Sequence, residues 1–281
     1  MIAFASNSLL CRAALKQTSI DAASFTFVRI FSGAVVLWII MKMRERTSSV
    51  AAVYDRRTLG NWPSALALFA YAAAFSFAYN TLPAGTGALL LFGAVQATMT
   101  LWGLHRGERL HAIQIIGLVF ALTGLVVLVF PGLSAPPLIG SILMLSAGVA
   151  WGVYSLRGKA ARDAIVATAK NFLRAVPFAV VLSIILIPWA RFDRAGVSYA
   201  VISGVLTSGL GYVIWYSALP GLRAASAATV QLSVPVLAAT GGIIFLGEPI
   251  TFRYFVASIA ILGGIALVVL SRFQRGEMSD V

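Results

Sequence analysis

The chain has 281 residues, of which 60% are hydrophobic and 11% charged, and its mean hydropathy is +0.93. Soluble globular chains carry about a quarter charged residues, so a soluble domain is excluded as the main body. The net charge of +12 would suit nucleic acid or an anionic lipid surface, and its distribution along the chain decides between them.

A helix needs about 20 mostly apolar residues to cross the hydrocarbon core. Ten such runs follow one another, at 1–18, 23–42, 62–81, 83–104, 110–130, 138–157, 168–190, 197–218, 223–246 and 251–271. Short alternating strands of the outer-membrane barrel type are absent from the sequence pattern. The first run has no charged leader and no cleavage site, and carries Ser6-Asn7-Ser8 and Arg12. It reads as a working span rather than a signal peptide. Cys11 is the only cysteine, which gives neither an internal disulfide nor a metal cluster.

The second run opens with Phe27-Val28-Arg29 and continues into Ala34-Val35-Val36-Leu37. The same pattern returns in the seventh run as Phe172-Leu173-Arg174 and Ala179-Val180-Val181-Leu182. Leu82-Pro83-Ala84-Gly85 between runs three and four returns as Leu219-Pro220-Gly221-Leu222 between eight and nine. Gly107-Glu108-Arg109 returns as Gly247-Glu248-Pro249, and Gly124-Leu125-Val126-Val127 as Gly264-Ile265-Ala266-Leu267. The chain is therefore a duplication, with halves at 1–131 and 138–272, a Pro-rich link between them and a tail at 273–281. Five spans per half is an odd number, so the second half enters the membrane inverted. That is the common plan of secondary transporters, with the substrate site between the halves near the midplane.

With a cytoplasmic N-terminus, fifteen lysines and arginines between Lys42 and Arg275 fall on the cytoplasmic side. Five fall opposite: Arg12, Lys16, Arg191, Arg194 and Arg253. This asymmetry puts both termini in the cytoplasm and assigns the surplus charge to lipid head groups rather than nucleic acid. All nine carboxylates fall in loops or at span ends, which disfavours a buried acid for proton coupling and a strictly cationic substrate. A phosphate-bearing substrate would need basic residues in the cavity, and mid-span ones are lacking. No nucleophile–base set or phosphate-binding glycine loop is present, so the reading is not that of an enzyme, and no cofactor or metal is expected.

The spans do contain aromatic residues with polar tips. Tyr71, Phe75 and Tyr79 at spacing four share one face of the third run. The eighth run offers Tyr212, Trp215 and Tyr216, the fourth Gln96, Met99 and Trp102, the sixth Trp151 and Tyr154, and the ninth Gln231. Tyr79, Trp102 and Tyr216 lie near span ends, where an interfacial belt explains them equally well. Asn7 is either packing glue between helices or a ligand to a polar head. Pro235 frees the carbonyl of Gln231, and Pro177 reads as a hinge or a plain kink. Arg29 and Arg174 snorkel to head groups or latch a gate, the structural role being favoured. Glu108 and Glu248 face loop basic residues or cap the following helices. Gly148/Gly152, Gly117/Ala121, Gly204/Ser208 and Ala260/Gly264 have the spacing of close helix packing.

These residues resemble the EamA-type members of the drug/metabolite transporter superfamily. Ser6-Asn7-Ser8 with Arg12 is similar to that family's Trp-Gly-Ser-Asn opening and the basic residue five after the Asn, with Phe4-Ala5 here in place of Trp-Gly. Phe27-Val28-Arg29 resembles its helix 2 arginine, and the two Gly-Glu pairs resemble those that close helices 4 and 9. Within the family the Tyr- and Trp-rich spans resemble the YddG-type aromatic amino acid exporters of bacterial inner membranes. The resemblance implies an all-α membrane protein of ten transmembrane helices, two inverted five-helix repeats around a central cavity. It also implies export of aromatic and other neutral amino acids and similar metabolites by alternating access. The alternatives are a drug or nucleotide-sugar carrier of the same superfamily, or a non-transporting membrane scaffold.

Overall fold

The computed structural model describes residues 1–47, 60–107, 111–132, 135–158, 163–218 and 231–276, and within them every regular element is helical. The first half gives α1 (Ile2–Gln17), α2 (Ala22–Thr47), α3 (Trp62–Tyr79), α4 (Ala84–His105) and α5 (Ala112–Val129). The second half opens with α6 (Leu138–Gly158) and α7 (Ala164–Ile185). A continuous rod follows: α8 (Arg194–Ile202), a π-helical segment (Ser203–Leu210) and α9 (Gly211–Ala218). The described part ends with α10 (Ser233–Leu246) and α11 (Phe252–Gly276). Among the described residues, eight helical stretches are long and apolar enough to cross a membrane; α10 is a shorter apolar helix, and α1 has 16 residues.

Local chemistry sets most of the starts. Asp21 accepts from the backbone N–H groups of Ala23 and Ser24 at the head of α2. Asn61 accepts from Ser64 at the head of α3, and Asp163 and Asp193 do the same for α7 and α8. Each satisfies N–H groups that have no partner inside their own helix. At α5 the Gln114 side chain reaches back to the His111 N–H. Gly107 and Gly247 carry positive φ, 89° and 62°, so the two Gly-Glu pairs begin with residues in the left-handed conformation that ends a helix most cheaply on glycine.

The two loop carboxylates that cap α2 and α8 are held below the usual range. For Asp21, desolvation pushes the pKa up and is outweighed by N–H bonds from Arg191, Ser24 and Ala23. For Asp193 the bond from the Ala195 N–H is the largest cause. Asp21 also joins the loop ahead of α8, accepting from the Arg191 N–H at 2.8 Å.

Small residues decide which helices meet. Gly117 and Ala121 of α5 lie directly on Gly264 of α11, and Gly124 lies on Ala260 and Ile261. A Cβ on Gly117 would reach 2.5 Å from the Gly264 carbonyl, so only glycine permits this approach. The opposite faces of α5 expose Ile113, Ile116, Val119 and Phe120, as expected of a lipid-facing surface. Gly148 and Gly152 bring α6 against Leu91, Ala94 and Thr98 of α4. The remaining large interfaces join α3 to α6, α2 to α7, and α2 to the π segment. Smaller ones join α3 to α7, and α1 to α8, the π segment and α10.

Candidate functional site

Where α1, α3, α4, α6 and the start of α10 converge lies a small cavity. Its polar wall is Asn7, Ser8, Tyr71 and Gln231; its apolar wall includes Phe4, Phe75, Phe92 and Trp151. Its volume of about 20 Å³ is room for one or two waters and far less than an amino acid needs. The cavity described is therefore a small one.

The polar wall is built in two layers. Asn7 Oδ1 accepts from Ser203 Oγ at 2.7 Å and Thr207 Oγ1 at 3.1 Å, and its Nδ2 donates to Tyr71 Oη at 3.4 Å. The π segment brings this about, since widening the helical turn turns Ser203 and Thr207 towards α1 and Ser208 towards α2. Such segments recur at functional sites. Behind Tyr71 stands Arg29, 2% exposed. Its Nη2 donates to Tyr71 Oη and its Nε to Ser208 Oγ, both at 3.2 Å. Its guanidinium carbon lies 5.4 Å from the Tyr71 ring centre and 5.0 Å from that of Phe75.

On the other wall Trp151 is the hub of a ring cluster. Its centroid is 4.9 Å from Tyr71, 5.5 Å from Tyr154 and 5.3 Å from Tyr212, the last pair stacked at 15°. Phe4 sits against Tyr212 at 5.8 Å and edge-on to Trp215 at 6.2 Å. Tyr154 is turned away, donating to Thr168 Oγ1 at 3.4 Å. Rings at these separations attract through their quadrupoles and offer a polarisable face.

At one end of the helix bundle a second polar group ties four elements together. Arg12 Nε donates to Glu248 Oε1 at 3.0 Å, and its Nη1 to the carbonyls of Tyr79 at 2.8 Å and Asn80 at 3.1 Å. Glu248 Oε2 accepts from the Ala84 N–H at 2.7 Å. Lys16 donates to the Leu246 carbonyl at 3.2 Å. The Glu248 carboxylate therefore caps α4 and joins α1 to α10, three helices that also line or flank the cavity.

The predicted site residues divide accordingly. Asn7, Trp151 and Gln231 line the cavity, with Tyr212 and Tyr154 in the ring cluster behind Trp151 and Trp215 at its edge. Tyr79 is fully buried away from it, bonding the Ala84 carbonyl and packing on Gly87, because α3 and α4 close on each other at their hairpin. Trp102 is 45% exposed with Arg106 5.2 Å above its ring, as an interfacial belt requires. Gln96 and Met99 are half-buried and outside the cavity lining. The side chain of Tyr216, and all of Glu108, lie outside the described residues, as does the Leu219–Pro220 loop.

Three expectations are corrected. Arg29 does not snorkel to head groups; it is deep beside the cavity, because the hydroxyls of Tyr71 and Ser208 hold it there. A basic group therefore does stand next to the cavity. Arg174 is half-buried and, among the described residues, bonds the Lys170 carbonyl of its own helix at 3.5 Å, which leaves the favoured structural role open to it. Glu248 does not cap the helix that follows it or face loop basic residues; it caps α4 and pairs with Arg12 of α1. Pro235 lies in the first turn of α10, where no intrahelical bond is lost, the helix being interrupted at Leu232; Pro177 lies well inside α7. The sequence reading passed over Ser203 and Thr207. Their spacing of four on an otherwise apolar span was the available signal.

Residues 138–270 match the model of the EamA-like transporter family. Over 98% of this chain, an uncharacterized protein of Pseudomonas aeruginosa is 55% identical, with 93% of its length covered. The chain belongs to the EamA-like transporter family. The Bacillus subtilis transporter YoaV, itself uncharacterized, is 23% identical over 89% of this chain and 88% of its own. An Escherichia coli protein named "probable amino-acid metabolite efflux pump" is 26% identical over 67% of this chain and 68% of its own. A solved crystal structure, 18% identical, superposes with a TM-score of 0.63 over 96% of this chain and 95% of that one, a likeness of fold. This EamA-family member is a multi-pass membrane protein and a transporter of small molecules, in keeping with the resemblance to YddG-type exporters.

Proposed function

We propose that this transporter exports amino acids, aromatic and other neutral ones among them, from the cytoplasm across a bacterial inner membrane by alternating access. One observation carries the reading: a cavity lined by the Trp151 ring, with Tyr212 stacked behind it, and by the Tyr71 hydroxyl, the Asn7 amide and Gln231. Rings take an apolar side chain by stacking and dispersion, while the amides orient a small polar head. The names of the Escherichia coli relative and of a Streptantibioticus cattleyicolor relative, "probable terminal-alkyne amino-acid exporter", 28% identical over 66% of this chain and 63% of its own, support the substrate class.

The frame is ten spans as two inverted five-span repeats, 1–131 and 138–272, with a tail at 273–281 and both termini cytoplasmic. The helix pairings support it. Exchanging each helix for its counterpart in the other half turns α3 on α6 into the rod on α1, α4 on α6 into α10 on α1, and α2 on the rod into α7 on α3; α2 on α7 and α5 on α11 map onto themselves. Transport then consists of the halves rocking about the cavity, with the Arg12–Glu248 pair closing the end opposite the cytoplasm.

Purified protein in liposomes loaded with labelled phenylalanine, methionine or threonine tests this. Wild type is expected to move phenylalanine fastest, and Trp151→Ala to slow it at least tenfold. Equal flux in Trp151→Ala would remove Trp151 from the site, and no flux of any of the three would end the amino-acid reading.

A further inference from the structure

Arg29 has one feature that cavity packing leaves unexplained. Its guanidinium is 2% exposed, and no carboxylate stands within ion-pair distance of it among the described residues. Nη1 is buried and without a hydrogen-bond partner among the described residues. The other two donor nitrogens meet only hydroxyls. A buried guanidinium is stabilised when opposite charge and full hydrogen bonding compensate its lost hydration, and an ionisable group inside a membrane usually marks a substrate or ion path. Two neighbouring rings supply part of that compensation. Glu248, in the connection that follows α10, is engaged by Arg12.

We infer that Arg29 and Tyr71 form the receiving site for a substrate carboxylate, so that the transported solutes are carboxylates and the charge completing Arg29 arrives with the cargo. The geometry allows it. Tyr71 lines the cavity and its Oη already accepts from Asn7 and Arg29, which leaves its own proton to donate. A carboxylate oxygen at Tyr71 takes that proton in a hydrogen bond strengthened by the guanidinium behind it. As the cavity opens around a solute, the second oxygen takes Nη1. The phenyl or aliphatic end of the same solute lies towards Trp151, because Tyr71 and Trp151 are in ring contact. A phosphate dianion would ask for a second cation, and none of the cavity-lining residues is basic.

This rests on the small-molecule cavity of the preceding reading and narrows its substrate class, so the test separates the two. Detergent-purified protein is titrated with 3-phenylpropanoate, 3-phenylpropanamide, 2-phenylethylamine and 2-phenylethyl phosphate, following intrinsic tryptophan fluorescence and the thermal unfolding midpoint. The expected result is that the propanoate binds wild type at least tenfold tighter than the amide or the amine, and tighter than the phosphate. Arg29→Gln should remove that preference while leaving the weak amide signal, and Arg29→Lys should restore part of it. Should Arg29→Gln fail to fold, Tyr71→Phe and Arg174→Gln serve instead: the first is expected to weaken propanoate binding severalfold and the second, outside the site, to leave it within about twofold. Equal binding of propanoate and amide, a preference that survives Arg29→Gln, or tighter binding of the phosphate would each overturn the proposal. Arg29-dependent propanoate binding without amino-acid flux in liposomes would sink the export reading alone. Flux of phenylalanine matched by its amide would sink this one alone.

Discussion

Arg12 and Arg29 lie on the first two spans, both within the protein, and the fold treats them differently. Arg12 meets a carboxylate through Nε and two carbonyls through Nη1, so its charge is paired and four elements are held together. Arg29 meets two hydroxyls and two ring faces and keeps one nitrogen without a hydrogen-bond partner among the described residues. The first arrangement suits a strut, since the compensation for lost hydration is built into the chain. The second suits a receptor, since part of that compensation is left to something that comes and goes. The difference teaches that a buried charge is read by what faces it, not by its depth.

The largest way to break this contrast is at Glu248. Glu248→Ala leaves Arg12 and the Ala84 N–H without their acceptor, and breaking a buried pair from one side costs about 3–5 kcal/mol. The thermal midpoint should drop accordingly, and the Arg12→Ala/Glu248→Ala double variant should cost less than the two singles added. Arg29→Met works in the other direction. Removing an incompletely paired buried charge is expected to raise stability by about 1–2 kcal/mol in chemical unfolding, alongside loss of transport. A drop of similar size would instead make Arg29 a strut like Arg12.

At the loops, Asp21→Ala removes the acceptor at the head of α2 and should cost about 1 kcal/mol at neutral pH, the usual worth of such a cap. Because the folded Asp21 carboxyl titrates below its ordinary value of 3.8, its contribution is complete above that value and is lost as pH falls through the lower, folded one. The gap between wild type and Asp21→Ala should therefore close on acidification below about pH 3.8, which a pH series of melting curves checks. The smallest effect belongs to Arg174. Bonded among the described residues to its own helix, it should tolerate Arg174→Gln within about 0.5 kcal/mol, with transport unchanged. Loss of flux there would mean that the duplicated arginines share one job after all.

Several parts of the site could be read in advance because they depend on residue chemistry alone. Trp151 is a large ring well inside an apolar run, Asn7 an amide inside another, and Gln231 a third polar side chain on a span otherwise poor in them. Such groups seldom face lipid, so a cavity or a helix interface is their natural place, and the cavity holds all three. Tyr79 and Trp102 have the same chemistry and ended elsewhere, one sealed under the α3–α4 hairpin and one at the surface. Their positions along the span were known, but not the rotation of their helices.

What the sequence determined by itself was the apolar runs and the small-residue seams, since hydrophobicity and side-chain size act locally or along one helix. Tertiary structure alone decided which of the matched arginines would face the cavity and where Glu248 would find its partner. Arg12 and Glu248 are 236 positions apart, and Arg29 and Ser208 are 179 apart. Whether a buried charge meets a carboxylate or a hydroxyl depends on the packing of helices far apart in the chain, and no spacing within one span encodes that.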